Sequence, residues 1–233
     1  MSDPARLRLF QLVSPALPVG AFSYSEGLEV LVQSGRLGGV EPLRRWLEAE
    51  LQRGAVGLEA AALAPLRHGL QRWRAGEGAA LAKLLDLDGW LLAQREAPEL
   101  RAQQRQMGQS LLQLLADLGY PLPEPAQPAP PASAAFAWPL AFAWAGCCLE
   151  LDSPAVEEAY LYGWVANQIS AAVRLVPLGP TQGQRLQLAL APLIAERAER
   201  LAAADPRQLW SGGVGAGLAQ LQHAELYSRL FRS

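Results

Sequence analysis

Lysine, cysteine and histidine are scarce in this 233-residue sequence. Lys83 is the only lysine, so nineteen of the twenty basic residues are arginine, and the net charge is −2. This balance excludes the strongly basic surface typical of proteins that bind nucleic acid or anionic membranes. The two cysteines, Cys147 and Cys148, are adjacent. Neighbours on a helix project about 100° apart, which suits neither a disulfide nor a shared metal site, so both are expected to be small buried hydrophobic residues.

Several sequence motifs that carry chemistry are also missing. No phosphate-binding GxxxxGK[ST] loop occurs, and "GGVGAG" over residues 212–217 fails the spacing of a dinucleotide fingerprint. The two histidines, His68 and His223, are far apart, and the chain has no HExxH, CxxC or GxSxG motif. The sequence therefore predicts no bound cofactor, no metal site within the chain and no enzymatic activity.

Long hydrophobic runs are missing as well. The N-terminal "MSDPARLRLF" resembles neither a secretory signal nor a transit peptide, which predicts a cytoplasmic protein. Residues 125–149 carry no charge, but the apolar part, "AAFAWPLAFAWAGCCL", is sixteen residues long and contains Pro139. Because a membrane span needs about 20 apolar residues, this stretch predicts a buried central helix. Trp138, Phe142 and Trp144 are expected to supply core or interface volume.

What the sequence does contain is helical periodicity in almost every long segment, with abundant Ala, Leu, Arg, Gln and Glu. This pattern predicts an all-α protein, a single domain over residues 1–233 built as a helical bundle of about ten helices. The stretch "YPLPEPAQPAPPAS" over residues 120–133 has six prolines in fourteen positions. It predicts a semi-rigid, proline-rich connector near the middle of the chain.

Two helix starts and one helix interruption are predicted from local signals. Ser23 with Glu26 three residues later forms a capping-box pattern for a helix that ends near Gly35. Ser153 followed by Pro154 predicts an N-cap and a first-turn proline for a helix that ends near Leu175. Pro65 is expected to kink or break the helix that contains it.

Three stretches mix aromatic or apolar residues with Arg, Ser or Gln in non-helical or terminal backbone. They are "SPALPVGAFSYSEGLE" (14–29), "RLVPLGPTQGQ" (174–184) and "YSRLFRS" (227–233). This composition is typical of protein interfaces, where aromatic and Arg side chains supply most of the binding energy. In the first stretch, Pro15 and Pro18 fix φ, and Gly20 permits a sharp turn.

Together with "EAPELRAQQRQMGQSLL" (96–112) and "HAELYSRLFRS" (223–233), these stretches make the sequence resemble the urease accessory protein F (UreF) family. The resemblance runs from about Leu9 to Ser233 with the motifs in the same order. It implies an all-helical, dimeric, non-catalytic scaffold of urease maturation without a cofactor. Its expected partners are urease accessory protein D, also called H, the GTPase UreG, and apo-urease, which receives nickel through the complex.

The resemblance and the interface composition together assign the candidate binding residues. Accessory protein D/H is expected to contact the first stretch and the C-terminal tail (224–233), through Leu17, Phe22, Tyr24, Tyr227, Arg229, Leu230 and Phe231. The GTPase is expected to dock at Arg174 and Gln184, and Tyr162 is expected to lie in the dimer contact. Two alternatives stay open: the first stretch packs on the chain's own core, and the protein activates the GTPase through an inserted arginine. The tail is expected to become ordered only on docking.

Overall fold

The computed structural model describes residues 3–124 and 136–232. Within these ranges the chain forms ten α-helices and no β-strand, which confirms the predicted all-α class. The helices are α1 (Asp3–Leu12), α2 (Leu28–Gln33), α3 (Val40–Arg53), α4 (Ala55–Arg74), α5 (Ala79–Ala93), α6 (Pro98–Asp117), α7 (Trp138–Cys148), α8 (Ala155–Leu175), α9 (Pro180–Ala202) and α10 (Val214–His223). Short 3-10 helices lie at Ala21–Ser23 and Pro206–Gln208.

The core is centred on α4 and α7, which pack against each other. Every residue of α7 from Pro139 to Cys148 is buried, including Phe142 and Trp144. This burial explains why the stretch carries no charge and confirms that it is a buried central helix. Within the described ranges, no helix is long and apolar enough to cross a membrane. Both cysteines are buried free thiols, as expected.

The remaining helices surround this pair. α5, α8 and α9 contact α4, and α6 packs along α7. α8 and α9 form the other extended pair, with α3 against α9 and α1 against α8. The short α2 supports α10. The contact between α2 and α10 places the segment after α10 beside the segment before α2.

Gly27 allows α10 to approach α2 closely. Its φ is +86°, and a β-carbon there would lie 3.1 Å from the carbonyl oxygen of Ala216 and 3.2 Å from the Ala219 side chain. Any larger residue would therefore strain the backbone and push α10 away. This glycine positions the helix that leads into the C-terminal tail.

Two of the predicted helix starts are wrong. α2 begins at Leu28 with Gly27 as its N-cap, because Ser23 lies in a 3-10 helix and Glu26 has a positive φ of 49°. α8 has Pro154 as its N-cap, and the Ser153 hydroxyl donates instead to Glu157 Oε1 at 2.8 Å. Glu26 bonds instead to residues distant in sequence, and Ser153 bonds to a side chain in the first turn of α8.

Pro65 does not break its helix, because α4 continues through it from Ala55 to Arg74. Pro65 is exposed, while Leu63 and Leu66 beside it are fully buried. Core packing on both sides of the proline therefore holds the helix together. Of the predicted connector (120–133), residues 120–124 have no regular secondary structure, and the rest lies outside the described residues.

Candidate partner-binding surface

The interface-like stretches of the sequence meet at one end of the molecule. The backbone N–H of Arg232 donates to the carbonyl of Ser23 at 2.8 Å, which joins the tail to the first stretch. The Gln33 side chain donates to the carbonyl of Ser228 at 3.3 Å. The tail, expected to become ordered only on docking, is thus already packed against the chain, because α2 supplies partners for its backbone.

The first stretch divides its apolar side chains between core and solvent. Gly20 has a φ of +73°, which confirms the predicted sharp turn, and the 3-10 helix after it leaves Phe22 70% exposed. Leu17 is half-buried. Tyr24 is buried, and its hydroxyl donates to Gln106 Oε1 on α6 at 3.1 Å. Phe22 is therefore the member of this stretch that is available to a partner.

The tail divides its side chains in the same way. Tyr227 is fully exposed and Leu230 is half-exposed, whereas Phe231 is only 5% exposed and packs on the core. Arg229 lies between them and pairs with Glu99 at 3.0 Å. Tyr227 and Leu230 of the tail thus face solvent, and Phe231 anchors the tail to the core.

Arg174, at the end of α8, joins the two stretches. Its Nη1 donates to the carbonyl of Phe22 at 3.1 Å, and its guanidinium carbon lies 4.4 Å from the centre of the Phe231 ring. A guanidinium over an aromatic face at this distance is a favourable cation–π contact. The sequence assigned Arg174 and Phe231 to different partners, and the structure brings them into contact. We call the surface formed by Phe22, Arg174, Tyr227, Leu230 and Phe231 the tail surface.

Gln184 and Tyr162, the candidate residues for the GTPase and the dimer contact that remain, lie outside the tail surface. Gln184 is exposed near the start of α9. Tyr162, on α8, is 40% exposed and lines an apolar groove of about 410 Å³ between α1, α8 and α9. Phe10 of α1, 56% exposed, and Ile194 of α9 line the same groove. We call this depression the α1 groove.

A buried charged network reaches the first stretch through Glu26, whose Oε2 lies 3.9 Å from Arg95 Nη1. Arg95 donates from Nε and Nη2 to Glu59 Oε1 at 2.8 and 2.6 Å, and the Tyr160 hydroxyl donates to Glu59 Oε2 at 2.9 Å. Glu26, which belongs to the first stretch, accepts from Gln103 at 2.9 Å and from Trp164 Nε1 at 3.0 Å. Sequence reasoning missed these residues, although a single Glu59 inside the apolar run "VGLEAAALA" was a usable signal.

A second group that sequence reasoning missed is His223 with Glu29 and Glu99. The ring is fully buried, with Nε2 3.2 Å from Glu29 Oε2 and Nδ1 3.1 Å from Glu99 Oε2. The two nitrogens contact different carboxylates, so the three side chains do not converge on a common point. Among residues 3–124 and 136–232, no group of three or more His, Cys, Asp or Glu side chains is arranged to hold a metal ion.

A cavity of about 260 Å³ is lined by charged and aromatic side chains, among them Glu26, Glu50, Arg95, Trp46 and Trp164. Burial raises the pKa of the Glu50 carboxyl from 4.5 to about 7. A carboxyl with a raised pKa binds its proton more tightly in the folded protein than in the unfolded chain. The free energy of unfolding therefore decreases as pH rises through this interval and levels off above it.

Substitution of this carboxyl is expected to remove that pH dependence. Between pH 5 and pH 8, the free energy of unfolding of Glu50→Gln is expected to rise by about 1–3 kcal/mol relative to that of the wild type. Urea denaturation at four pH values measures the difference. Glu48→Gln on the same helix is the control and should follow the wild-type slope. Parallel curves for Glu50→Gln and wild type would show that Glu50 is ionised throughout.

The fold and the tail surface define an all-helical protein with exposed aromatic and apolar side chains fixed around an ordered C-terminal tail. The sequence model of the UreF family matches residues 38–191 of the chain. A urease accessory protein UreF from Alkalilimnicola ehrlichii is 39% identical over 98% of this chain and 96% of its own. Those from Trichormus variabilis and Microcystis aeruginosa are 40% and 42% identical, and they cover 100% and 97% of this chain and 98% and 97% of their own. The chain belongs to the UreF family of urease accessory proteins.

Proposed function

We propose that this UreF-family chain is a non-catalytic scaffold that binds urease accessory protein D/H and recruits the GTPase UreG. The assembled complex inserts nickel into apo-urease in the cytoplasm. The observation that supports this proposal most directly is the tail surface, where Phe22, Tyr227 and Leu230 are exposed around the buried Phe231. Exposed aromatic and apolar side chains held together in this way are typical of protein-binding sites.

The energetics of the tail surface favour tight binding to accessory protein D/H. Each large apolar side chain gains about 1.5–3 kcal/mol on full burial. The tail is already fixed by the hydrogen bonds from Gln33 and Arg232 and by the Phe231 anchor. A partner that docks there consequently avoids much of the entropic cost of ordering a loose segment.

We assign recruitment of the GTPase to Arg174 and Gln184. Arg174 contacts both Phe22 and Phe231, so its position depends on the tail. Gln184 is exposed on α9, close to the turn that follows α8. We therefore propose that the D/H site at Phe22, Tyr227 and Leu230 and the GTPase site at Arg174 are neighbours.

We assign the homodimer contact to the α1 groove. Tyr162 and Phe10 are both exposed beside it, and Leu7, one turn before Phe10, is 65% exposed. A second copy that covers this groove would remove these apolar side chains from water, which is the main driving force of association. The residues that line the groove belong to α1, α8 and α9, and no described residue of the tail is among them.

Substitution of the most exposed aromatic residue of the first stretch tests the proposed D/H site. Phe22→Ala is expected to raise the dissociation constant for D/H at least about tenfold, because truncating a hot-spot aromatic residue costs about 2 kcal/mol or more. Its effect on the free energy of unfolding should stay within about 0.5 kcal/mol, since the side chain is exposed. Leu85→Ala, 43% exposed on α5, is the matched control. A loss of stability equal to the loss of binding would instead show that Phe22 serves the chain's own fold.

A further inference from the structure

His223 occupies a position that links the tail to the body of the protein. Both ring nitrogens face carboxylate oxygens, Nε2 towards Glu29 at 3.2 Å and Nδ1 towards Glu99 at 3.1 Å. A carboxylate only accepts, so both contacts are hydrogen bonds only when each ring nitrogen carries a proton. With both carboxyl groups ionised, the fully buried ring makes both contacts only as an imidazolium, and Arg229 is a second cation, 3.0 Å from Glu99.

The same two carboxylates hold the tail. Glu29 is 2% exposed and accepts the backbone N–H of Leu230 at 2.7 Å and of Phe231 at 3.1 Å. Glu99 accepts from the side chain of Arg229. Within the described residues, every hydrogen bond from the tail (224–232) to a carboxylate ends on Glu29 or Glu99, and His223 joins the two.

We propose that His223 is a positioning residue for the tail surface, acting through Glu29 and Glu99. Without the imidazolium, Glu29 would keep a buried charge with no cation beside it, an arrangement that is strongly unfavourable. The carboxylate would then turn towards water and withdraw from the N–H groups of Leu230 and Phe231. Phe231 would leave its place on the core.

Release of Phe231 from the core would also affect the other residues of the tail surface. Arg174 contacts the Phe231 ring and the Phe22 carbonyl, so release of Phe231 removes one of its two contacts. Tyr227 and Leu230 would no longer be fixed relative to Phe22. With Phe231 in place, Phe22, Tyr227 and Leu230 form one preorganised surface. With Phe231 released, a partner must order the tail as it binds.

Hydrogen–deuterium exchange of residues 224–232 tests the role of His223. In His223→Phe the backbone amides of Leu230 and Phe231 are expected to exchange at least about tenfold faster, since their acceptor is lost. The helical circular dichroism should be retained. His68→Phe, at the exposed second histidine, is the matched control and should leave exchange in the tail unchanged. Unchanged exchange in His223→Phe overturns the proposal.

A second substitution separates charge from packing. Adding Glu29→Gln to His223→Phe removes the uncompensated charge and leaves a carbonyl that can still accept from the tail. Exchange at Leu230 and Phe231 is then expected to slow again towards wild type. If the double variant exchanges as fast as His223→Phe, the histidine acts only by filling space, and the proposal fails. Should His223→Phe not fold, His223→Gln, which keeps a donor but no charge, is measured against the same two outcomes.

The consequence for binding rests on the proposed function, and the same variants test it separately. His223→Phe should raise the dissociation constant for D/H about tenfold or more, and Glu29→Gln in that background should restore part of the affinity. If exchange responds as expected but D/H binding stays at the wild-type level, His223 positions the tail and the assigned D/H site is wrong. If neither responds, the positioning role itself is wrong.

Discussion

Deletion of residues 226–233 is expected to abolish binding to accessory protein D/H. The deletion removes the exposed Tyr227 and Leu230 together with the Phe231 anchor, which leaves Phe22 as the only exposed aromatic residue of the tail surface. Because a few central side chains carry most of the energy of an interface, we expect an affinity loss of at least about a hundredfold. Surface plasmon resonance with immobilised D/H measures it.

Two controls show whether the deletion affects binding to D/H without unfolding the protein. The helical circular dichroism should persist, because α10 ends at His223 and no described helix follows it. Ser228→Ala is the matched control within the tail: Ser228 is exposed, and the contact recorded for it uses its backbone carbonyl. This variant should bind as the wild type does. Retained binding of the deletion variant would place the D/H site elsewhere on the molecule.

Arg95→Met is expected to cause a large decrease in the free energy of unfolding. Arg95 and Glu59 are both buried, and the guanidinium donates twice to Glu59 Oε1. Burial raises the pKa of Glu59, while the nearby Arg95 charge opposes that rise. Removal of one partner from a buried ion pair typically costs about 3–5 kcal/mol, because the other charge is left uncompensated.

Urea denaturation measures this cost against two references. Arg200→Met removes an exposed partner of Glu196 on α9 and should change the free energy of unfolding by less than about 1 kcal/mol. Adding Glu59→Leu to Arg95→Met removes the unpaired buried charge of Glu59 and should recover part of the lost free energy of unfolding. A small effect of Arg95→Met alone would mean that water or another cation reaches Glu59 in the variant.

The all-helical class follows from the sequence because hydrophobic periodicity is a local property. The uncharged stretch around Trp144 was predicted as a buried helix for the same reason, since its composition is compatible only with a core. Helix starts were less predictable. The pattern at Ser23 and Glu26 is that of a capping box, but Glu26 instead accepts from Gln103 and Trp164, residues distant in sequence.

The candidate site was predictable in part. Composition identified the stretches that contain Phe22, Arg174 and Phe231, but nothing local indicates that these three residues meet. The link between His223 and Glu29 spans 194 positions. The placement of a buried imidazole ring between two carboxyl groups depends on how α2, α6 and α10 pack, and a single sequence does not specify that packing.

The division of the tail into outward and inward side chains is also a result of packing. The sequence treats Tyr227, Leu230 and Phe231 alike, as three apolar residues near the end of the chain. Glu29 accepts the N–H of Leu230 and of Phe231, which sets the direction of the backbone there. Phe231 then points to the core, and Tyr227 and Leu230 face solvent.

Size-exclusion chromatography with light scattering, on the chain alone and after co-expression with D/H and UreG, tests the scaffold function most directly. We expect a homodimer that co-elutes with D/H and then a larger complex that contains UreG as well. A chain that stays monomeric and elutes apart from both proteins would contradict the proposed scaffold function.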